Sequence, residues 1–418
     1  RFLAVAYQGI ESSVGKVSPS VIASARTLGA GRVRVATRIE LPLAGAGIIA
    51  ASVLVAIDTL KELPITLLLR PFGTETLPIW VWQATSESLW VQAAVRCRHG
   101  ARGRPAVDAR ARRGDRVVTA PTSTAGRQVM DGETFRADRA TATVPPSMDS
   151  VLDQPRPALS VSDITRRIAG RDVVDGVSFD VADGELVVIV GPSGCGKSSL
   201  LRAIAGLDPV VSGQVVLDGT DLSALPPEKR RIGLVFQDHA LFPHRRVEQN
   251  IAFGLTHLDR TARVRRVDEL LELVRLPGVG KRYPHELSGG EQQRIALARA
   301  LAPDPAVVLL DEPFASLDPS LRDEVRTDVI EALRLRNAAA VLVTHDREEA
   351  LALGDRVAVM SAGRMLQIDR PDEVYERPSD RFVATFLGEA SFLVDPDDPG
   401  HAMMARPHDL SLVVEDGG

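Results

Sequence analysis

Residues 186–207 read LVVIVGPSGCGKSSLLRAIAGL, and this stretch decides the fold of the larger part of the chain. Its first five residues form a continuous apolar run, which is typical of a strand buried on both faces of a parallel sheet. The glycine-rich turn Gly191–Ser198 follows, and an apolar helical pattern continues from Ser199 to Leu207. A strand, the spacing GxxxxGK[ST] and a helix in this order predict a site for the phosphates of a nucleotide.

The residue types in this turn suit phosphate chemistry. Glycines let the backbone curl so that successive amide groups point into one concavity, and the next helix directs its positive end there. Lys197 is expected to reach the β- and γ-phosphates, and Ser198 to ligate Mg²⁺. The predicted phosphate-binding residues are Gly191, Pro192, Ser193, Gly194, Cys195, Gly196, Lys197, Ser198 and Ser199.

A second apolar run, Ala306–Leu310, ends in two acidic residues. Carboxylates at the carboxyl end of a strand in a doubly wound sheet lie beside the phosphate turn. We therefore expect Asp311 to bind Mg²⁺ through its water shell, and Glu312, one residue on, to point toward an attacking water. The alternative is that both are ordinary acids at a strand end.

Two further apolar runs end in polar side chains at the same predicted edge. Ala339–Val343 leads to His345, which is placed to touch a γ-phosphate, and Gly233–Phe236 leads to Gln237, which can orient water or Mg²⁺. A lone histidine is usually unremarkable, and only its position after a buried strand favours a functional role here.

The sequence also predicts the start of a helix at Ser288. Ser288 and Glu291 have the S-x-x-E spacing of a capping box, and Gly289 and Gly290 between them carry no side chains. A capped helix N-terminus without side chains is an anion site. The alternative is an efficient helix cap with no ligand.

Residues 157–389 resemble the ATP-binding subunits of ABC transporters over nearly their whole length. The matching motifs are, in chain order, Walker A at Gly191–Ser198, the Q-loop glutamine Gln237, the signature Leu287–Glu291, Walker B at Val307–Asp311, the catalytic base Glu312, the D-loop Ser316–Asp318 and the switch histidine His345. The resemblance implies an α/β fold of the P-loop NTPase class, with a mixed sheet and a helical subdomain. It also implies ATP and Mg²⁺ as cofactors, with Gln237 and Asp311 near the metal.

The family works as a head-to-tail homodimer with two ATP molecules at the interface. Each ATP would then contact the Walker motifs of one subunit and Ser288 and Gly290 of the other. One position departs from the family pattern: Ile168 stands where an aromatic residue is expected to stack on adenine. We expect weaker discrimination of adenine rather than loss of binding.

Residues 1–95 contain two apolar stretches. Leu41–Ile57 has no charged residue and is at the short end for a membrane span, while a buried core helix is the alternative. Leu77–Val95 holds three tryptophans but is a poor span because it carries several polar residues.

This region also resembles a C-terminal fragment of an importer permease. Ala23–Ala25, Gly29 and Ile39–Pro42 match the coupling-loop motif, and Lys61–Gly73 resembles permeases of the ferric-iron type. The resemblance implies a short helix that docks in a groove of the ATPase near Gln237.

The remaining segments carry less information. Residues 96–116 hold eight arginines and two aspartates, and the Thr-, Ala- and Pro-rich residues that follow predict a disordered linker over 96–156. Residues 390–418 resemble a truncated β-barrel regulatory domain. An excess of acidic residues (55 against 50 basic) and 4% aromatics argue against a nucleic-acid binder. Cys97 and Cys195 are predicted to be free thiols in a reducing compartment.

Together these patterns predict an ATPase that powers solute import at the cytoplasmic membrane. Its ATPase domain would lie on the cytoplasmic face, and its partners would be permease subunits and, indirectly, an extracytoplasmic solute-binding protein. The permease resemblance favours ferric iron; sulfate, polyamine, thiamine and molybdate remain alternatives. A soluble ABC ATPase, an exporter and an uncoupled fusion remnant are the competing hypotheses. A cytoplasmic coupling loop and a cytoplasmic ATPase also require an even number of membrane crossings.

Overall fold

The computed structural model describes residues 7, 11, 15, 17–61, 157–394 and 402–407. The chain divides into two compact units, one made of residues 1–5 and 52–154, the other of residues 6–51 and 155–418. Of the first unit, only the last turns of one helix are described. The second predicted apolar stretch, Leu77–Val95, the linker 96–156 and Cys97 lie outside the described residues.

The N-terminal part of the chain is helical. It consists of α1 (Pro19–Thr27), α2 (Arg32–Val35), a π-helical turn (Ala36–Glu40) and α3 (Leu41–Lys61). Residues Arg32–Val55 are long and apolar enough to cross a membrane, with a mean hydropathy of 1.6, and are the only such span among the described residues. Several apolar side chains of α3 are exposed, among them Leu41 and Ile49.

The rest of the chain alternates strands and helices. The strands are β1 (Leu159–Ile168), β2 (Arg171–Val181), β3 (Leu186–Val190), β4 (Ser212–Leu217), β5 (Thr220–Asp221), β6 (Ile232–Val235), β7 (Val307–Asp311), β8 (Ala339–Thr344), β9 (Arg356–Ser361), β10 (Arg364–Asp369), β11 (Ser391–Val394) and β12 (Ala402–Ala405). The helices are α4 (Lys197–Ile204), α5 (Val247–Ile251), α6 (Arg260–Leu273), α7 (Gly289–Leu301), α8 (Pro319–Leu335), α9 (Arg347–Leu353), α10 (Pro371–Glu376) and α11 (Arg381–Leu387).

The central sheet has six strands in the order β10-β9-β3-β8-β7-β6. β3 pairs in parallel with β8 and β9, β7 pairs in parallel with β6 and β8, and β10 closes the edge antiparallel to β9. Successive residues of β3 belong to two separate apolar cores, one on each face of the sheet. The continuous apolar runs of the sequence are therefore strands covered on both sides, as predicted.

A second, antiparallel sheet has the order β2-β1-β4-β5. Its β1–β2 hairpin turns at Ala169 and Gly170, which both have positive φ, as a type I′ turn requires. Ile168, the residue in the expected adenine position, is exposed at this turn. The predicted fold class, an ABC-type ATPase with a mixed sheet and helices, is confirmed.

The last strands of the described part, β11 and β12, form a small two-stranded sheet. The guanidinium of Arg406 is buried beneath it and donates hydrogen bonds to the carbonyl oxygens of Tyr375 and Ala384. The sheet is thereby tied to α10 and α11, and the barrel residues predicted beyond 407 lie outside the described part.

Candidate nucleotide site

In the turn between β3 and α4, two glycines lie very close to backbone carbonyl groups of other segments. Gly196 caps α4 with a φ of 109°, and a Cβ there would lie 2.2 Å from the carbonyl oxygen of Val173. A Cβ on Gly191 would lie 2.1 Å from the carbonyl oxygen of Met360. The sequence predicts that these glycines let the backbone curl. The structure shows in addition that a residue with a Cβ would clash at both positions. The predicted helix start at Ser199 moves two residues earlier, because α4 begins directly after Gly196.

The Lys197 side chain is buried inside this turn. Its Nζ donates to the carbonyl oxygens of Gly191 at 2.7 Å and Pro192 at 3.0 Å. The positive charge is held by neutral carbonyl groups, so it remains available to an anion. Cys195, in the same turn, is a buried free cysteine whose thiol pKa is raised by burial.

Ser198 and Asp311 meet across the sheet edge. The Ser198 Oγ donates to Asp311 Oδ1 at 2.7 Å. Burial is the main cause that raises the pKa of the Asp311 carboxyl, and the Ser198 hydrogen bond opposes it. Mg²⁺ is usually held by one or two protein oxygens together with substrate phosphates. This oxygen pair beside the phosphate turn fits that donor set, and the described residues contain no group of three or more His, Cys, Asp or Glu side chains that could hold a metal ion by themselves.

Two of the predicted catalytic side chains converge on the carboxylate of the third. Glu312 Oε2 lies 3.2 Å from His345 Nδ1 and accepts from Gln237 Nε2 at 3.5 Å. The strand order explains the meeting, because β8, β7 and β6 are neighbours and their carboxyl ends carry these residues. Glu312 itself has a φ of 44°, unusual for a residue with a side chain, and its amide donates to Val343 O. Such backbone geometry concentrates at functional sites.

The signature helix α7 has the predicted cap. Ser288 N donates to Glu291 Oε2 at 2.8 Å, and Glu291 N donates back to Ser288 Oγ. Ser288 and Gly289 are exposed, whereas Gly290 is buried and a Cβ there would come within 2.9 Å of Val325. Among the described residues, Ser288 and Gly290 make no hydrogen bond to the phosphate turn of their own chain.

A buried polar link between α7 and the loop after β6 was missed by the sequence reasoning. His239 Nδ1 lies 2.7 Å from Gln293 Oε1, and the Arg299 guanidinium donates to the carbonyl oxygens of His239 and Ala240. Burial lowers the pKa of Arg299 to about 9 and also lowers that of His239. The signal was present in the sequence, since an arginine within the apolar run of α7 needs buried acceptors. The link fixes the loop that begins at Gln237.

Comparison with known proteins places these features in a family. A model of the ABC transporter family matches residues 174–315. The spermidine/putrescine import ATP-binding protein of Pseudomonas fluorescens is 50% identical over 266 residues, which cover 62% of this chain and 72% of the relative.

Two other relatives are named for the import of different solutes. The Fe(3+) ions import ATP-binding protein of Streptomyces avermitilis is 53% identical over 232 residues, covering 55% of this chain and 67% of the relative. The sulfate/thiosulfate import ATP-binding protein of Nocardia farcinica is 46% identical over 256 residues, covering 61% of this chain and 75% of the relative. With the phosphate turn and the polar residues at one sheet edge, and with relatives of this identity and coverage, the chain belongs to the import-type ATP-binding proteins of the ABC transporter family and is an ATPase.

Proposed function

We propose that this chain hydrolyses ATP at the carboxyl edge of its central sheet and that the reaction powers import of a solute through a membrane permease. The observation that carries the proposal is the convergence of Gln237 and His345 on the Glu312 carboxylate. Beside it lies the Ser198–Asp311 pair, one oxygen from the phosphate turn and one from β7. This arrangement offers a base, an orienting amide and imidazole, and a metal-binding pair within one cleft.

Each residue has a proposed role in the reaction. Glu312 positions or deprotonates the attacking water, His345 contacts the γ-phosphate, and Gln237 orients the water. Lys197 and the amides of Gly191–Ser199 stabilise phosphate charge. Mg²⁺, held by Ser198 and Asp311 with Gln237 nearby, would neutralise charge that develops on the phosphate oxygens.

The second half of the site is proposed to come from another copy of the chain. The Ser288 tip of α7 is exposed, and among the described residues it makes no hydrogen bond to its own phosphate turn. A head-to-tail homodimer would bring that tip, with Gly290 behind it, onto the ATP of the partner. The exposed, capped N-terminus of a 13-residue helix supports this arrangement, because it favours an anion.

The adenine ring is expected to be held loosely. Ile168 is 44% exposed at the β1–β2 turn and offers no aromatic face. Ile168→Tyr is expected to tighten ATP binding by about five- to a hundredfold, because base stacking is worth roughly 1–3 kcal/mol. Calorimetric titration with Mg-ATP measures this, with Ile168→Leu as the matched control. An unchanged Kd in Ile168→Tyr would contradict the placement of adenine at this turn.

The N-terminal region is proposed to be a permease fragment, residues 1–95, followed by a linker, 96–156, the ATPase, 157–389, and a truncated barrel, 390–418. Two observations support the first assignment. Helix α1 packs beside the Gln237 loop, and the apolar helix α3, which comes after α2 and the π-helical turn, exposes Leu41 and Ile49. We propose that α3 enters the cytoplasmic membrane and keeps the ATPase on its cytoplasmic face.

Ferric iron is the proposed cargo, with polyamine and sulfate as the alternatives that the relatives' names raise. Uptake of labelled ferric ion, spermidine and sulfate is measured in cells lacking the gene and in cells complemented with the wild type or Glu312→Gln. Only ferric uptake should fall in the deletion strain, and only the wild type should restore it. Normal uptake of all three would show that the chain is not coupled to their import.

A further inference from the structure

We propose that residues 17–40, called here the docked segment, remain bound to the ATPase of their own chain and close the surface beside Gln237 to a segment from any other polypeptide. This proposal deepens the transport function proposed above, since it concerns how a permease could reach this ATPase. It rests on three separate groups of contacts along the segment.

The first contacts lie at the start of α1. The hydroxyls of Ser18 and Ser20 both donate to Asp238 Oδ2, at 3.3 Å for Ser18. The positive end of a nine-residue helix therefore faces a carboxylate, which is a favourable arrangement. Asp238 directly follows Gln237 and precedes His239, the residue fixed by α7. The docked segment thus contacts the loop that carries a proposed catalytic side chain.

The second contacts are apolar and continuous with the ATPase core. Ala25, Ala30 and Ile39 are fully buried, in the same apolar core as Ile232 and Phe253 of the ATPase. A surface that loosely held a passing partner would leave more of these side chains exposed.

The third contacts lie at the end of the segment. The Arg34 guanidinium donates to Phe253 O and lies 4.6 Å from the centre of the Phe253 ring, while Arg245 lies 5.3 Å from that centre. The Arg38 carbonyl accepts from His244 Nε2 at 3.0 Å and from Arg245 at 3.2 Å. Both ends of the docked segment are therefore fixed by directional contacts, and Ala25 and Ala30 between them are buried.

The docked segment is therefore expected to outcompete an equivalent segment of another polypeptide for the surface beside Gln237. Residues 41–156 join the docked segment to its binding surface, so its rebinding is intramolecular and independent of chain concentration, whereas a free partner binds in proportion to its own concentration. A permease subunit that carried an equivalent helix would find this surface filled. Coupling would then run through the chain's own helix α3, or the separate subunit would be excluded.

The experiment maps the docked segment in the full chain. Thr27 and Lys229 line one cavity and lie outside the three groups of contacts. Cysteines are placed at both positions in a Cys97→Ser background, which leaves only the buried Cys195, and are joined with a short bismaleimide. Equal amounts of ¹⁴N- and ¹⁵N-labelled chains are mixed before the reaction, and the cross-linked peptides are identified by mass. The controls are Thr27→Cys alone and the same pair with Ile39→Asp.

We expect each cross-linked peptide to carry a single isotope, and we expect no cross-link in Ile39→Asp. The yield of the cross-link should stay unchanged with about a hundredfold excess of a peptide of residues 17–40. Peptides of mixed isotope would identify a second copy as the occupant. Absence of the cross-link, persistence in Ile39→Asp, or a yield lowered by the peptide would each overturn the proposal. The readout requires no ATP, so its failure leaves the ATPase assignment intact, and an inactive ATPase would leave the docking result unchanged.

Discussion

Lys197→Ala is expected to raise the Kd for Mg-ATP at least about a hundredfold, because the ammonium makes charge-assisted hydrogen bonds worth roughly 1.5–3 kcal/mol each. The wild-type side chain is buried in the phosphate turn, with its Nζ already directed by Gly191 O and Pro192 O. Alanine removes the only side-chain cation in that turn. Calorimetric titration measures the loss.

The matched control is Lys281→Ala, which removes an exposed lysine in a short 3-10 helix away from the phosphate turn. It should bind ATP like the wild type. Thermal unfolding of both variants shows whether the fold survives. Wild-type affinity in a folded Lys197→Ala protein would mean that ATP binds elsewhere.

Glu312→Gln is expected to lower kcat by about 10²–10⁴-fold, the usual contribution of a general base, while ATP still binds. Glutamine keeps the size of the side chain and one acceptor oxygen near Gln237 and His345, but it cannot take up a proton from water. Release of phosphate under saturating Mg-ATP measures the change. The control is Glu324→Gln, on the exposed face of α8, where a wild-type rate is expected.

A Glu312→Gln protein that hydrolyses ATP at the wild-type rate would remove Glu312 from the role of base. His345→Ala then tests the next candidate, because the His345 imidazole is a second titratable group at that carboxylate. A low rate in Glu324→Gln as well would point to a general loss of structure rather than of chemistry.

The sheet and its functional edge could be predicted from local sequence. Five-residue apolar runs such as Leu186–Val190 are typical of doubly covered strands, and in parallel strands the residues after each run share one edge. That reasoning predicted that Asp311, His345 and Gln237 lie near the phosphate turn. It could not predict which strands are neighbours. For that reason it could not predict that His345 and Gln237 both contact the Glu312 carboxylate.

Other features depend on contacts between residues far apart in the chain. The tight fit of Gly196 depends on Val173, and the burial of Gly290 depends on Val325. Arg299 binds the carbonyl oxygens of the loop near Gln237 about sixty residues earlier, and no local pattern identifies those acceptors. The helix predicted to dock near Gln237 was inferred from resemblance alone; the Ser20–Asp238 contact that positions it needs the folded chain.

The central claim is that a terminal phosphate is held between two copies of this chain. The most direct measurement is the mass of the Glu312→Gln protein by light scattering, with and without saturating Mg-ATP. We expect the mass of one chain without nucleotide and of two chains with it, and the mass of one chain again when Ser288→Arg blocks the tip of α7. A protein that binds ATP fully and keeps the mass of a single chain would contradict it.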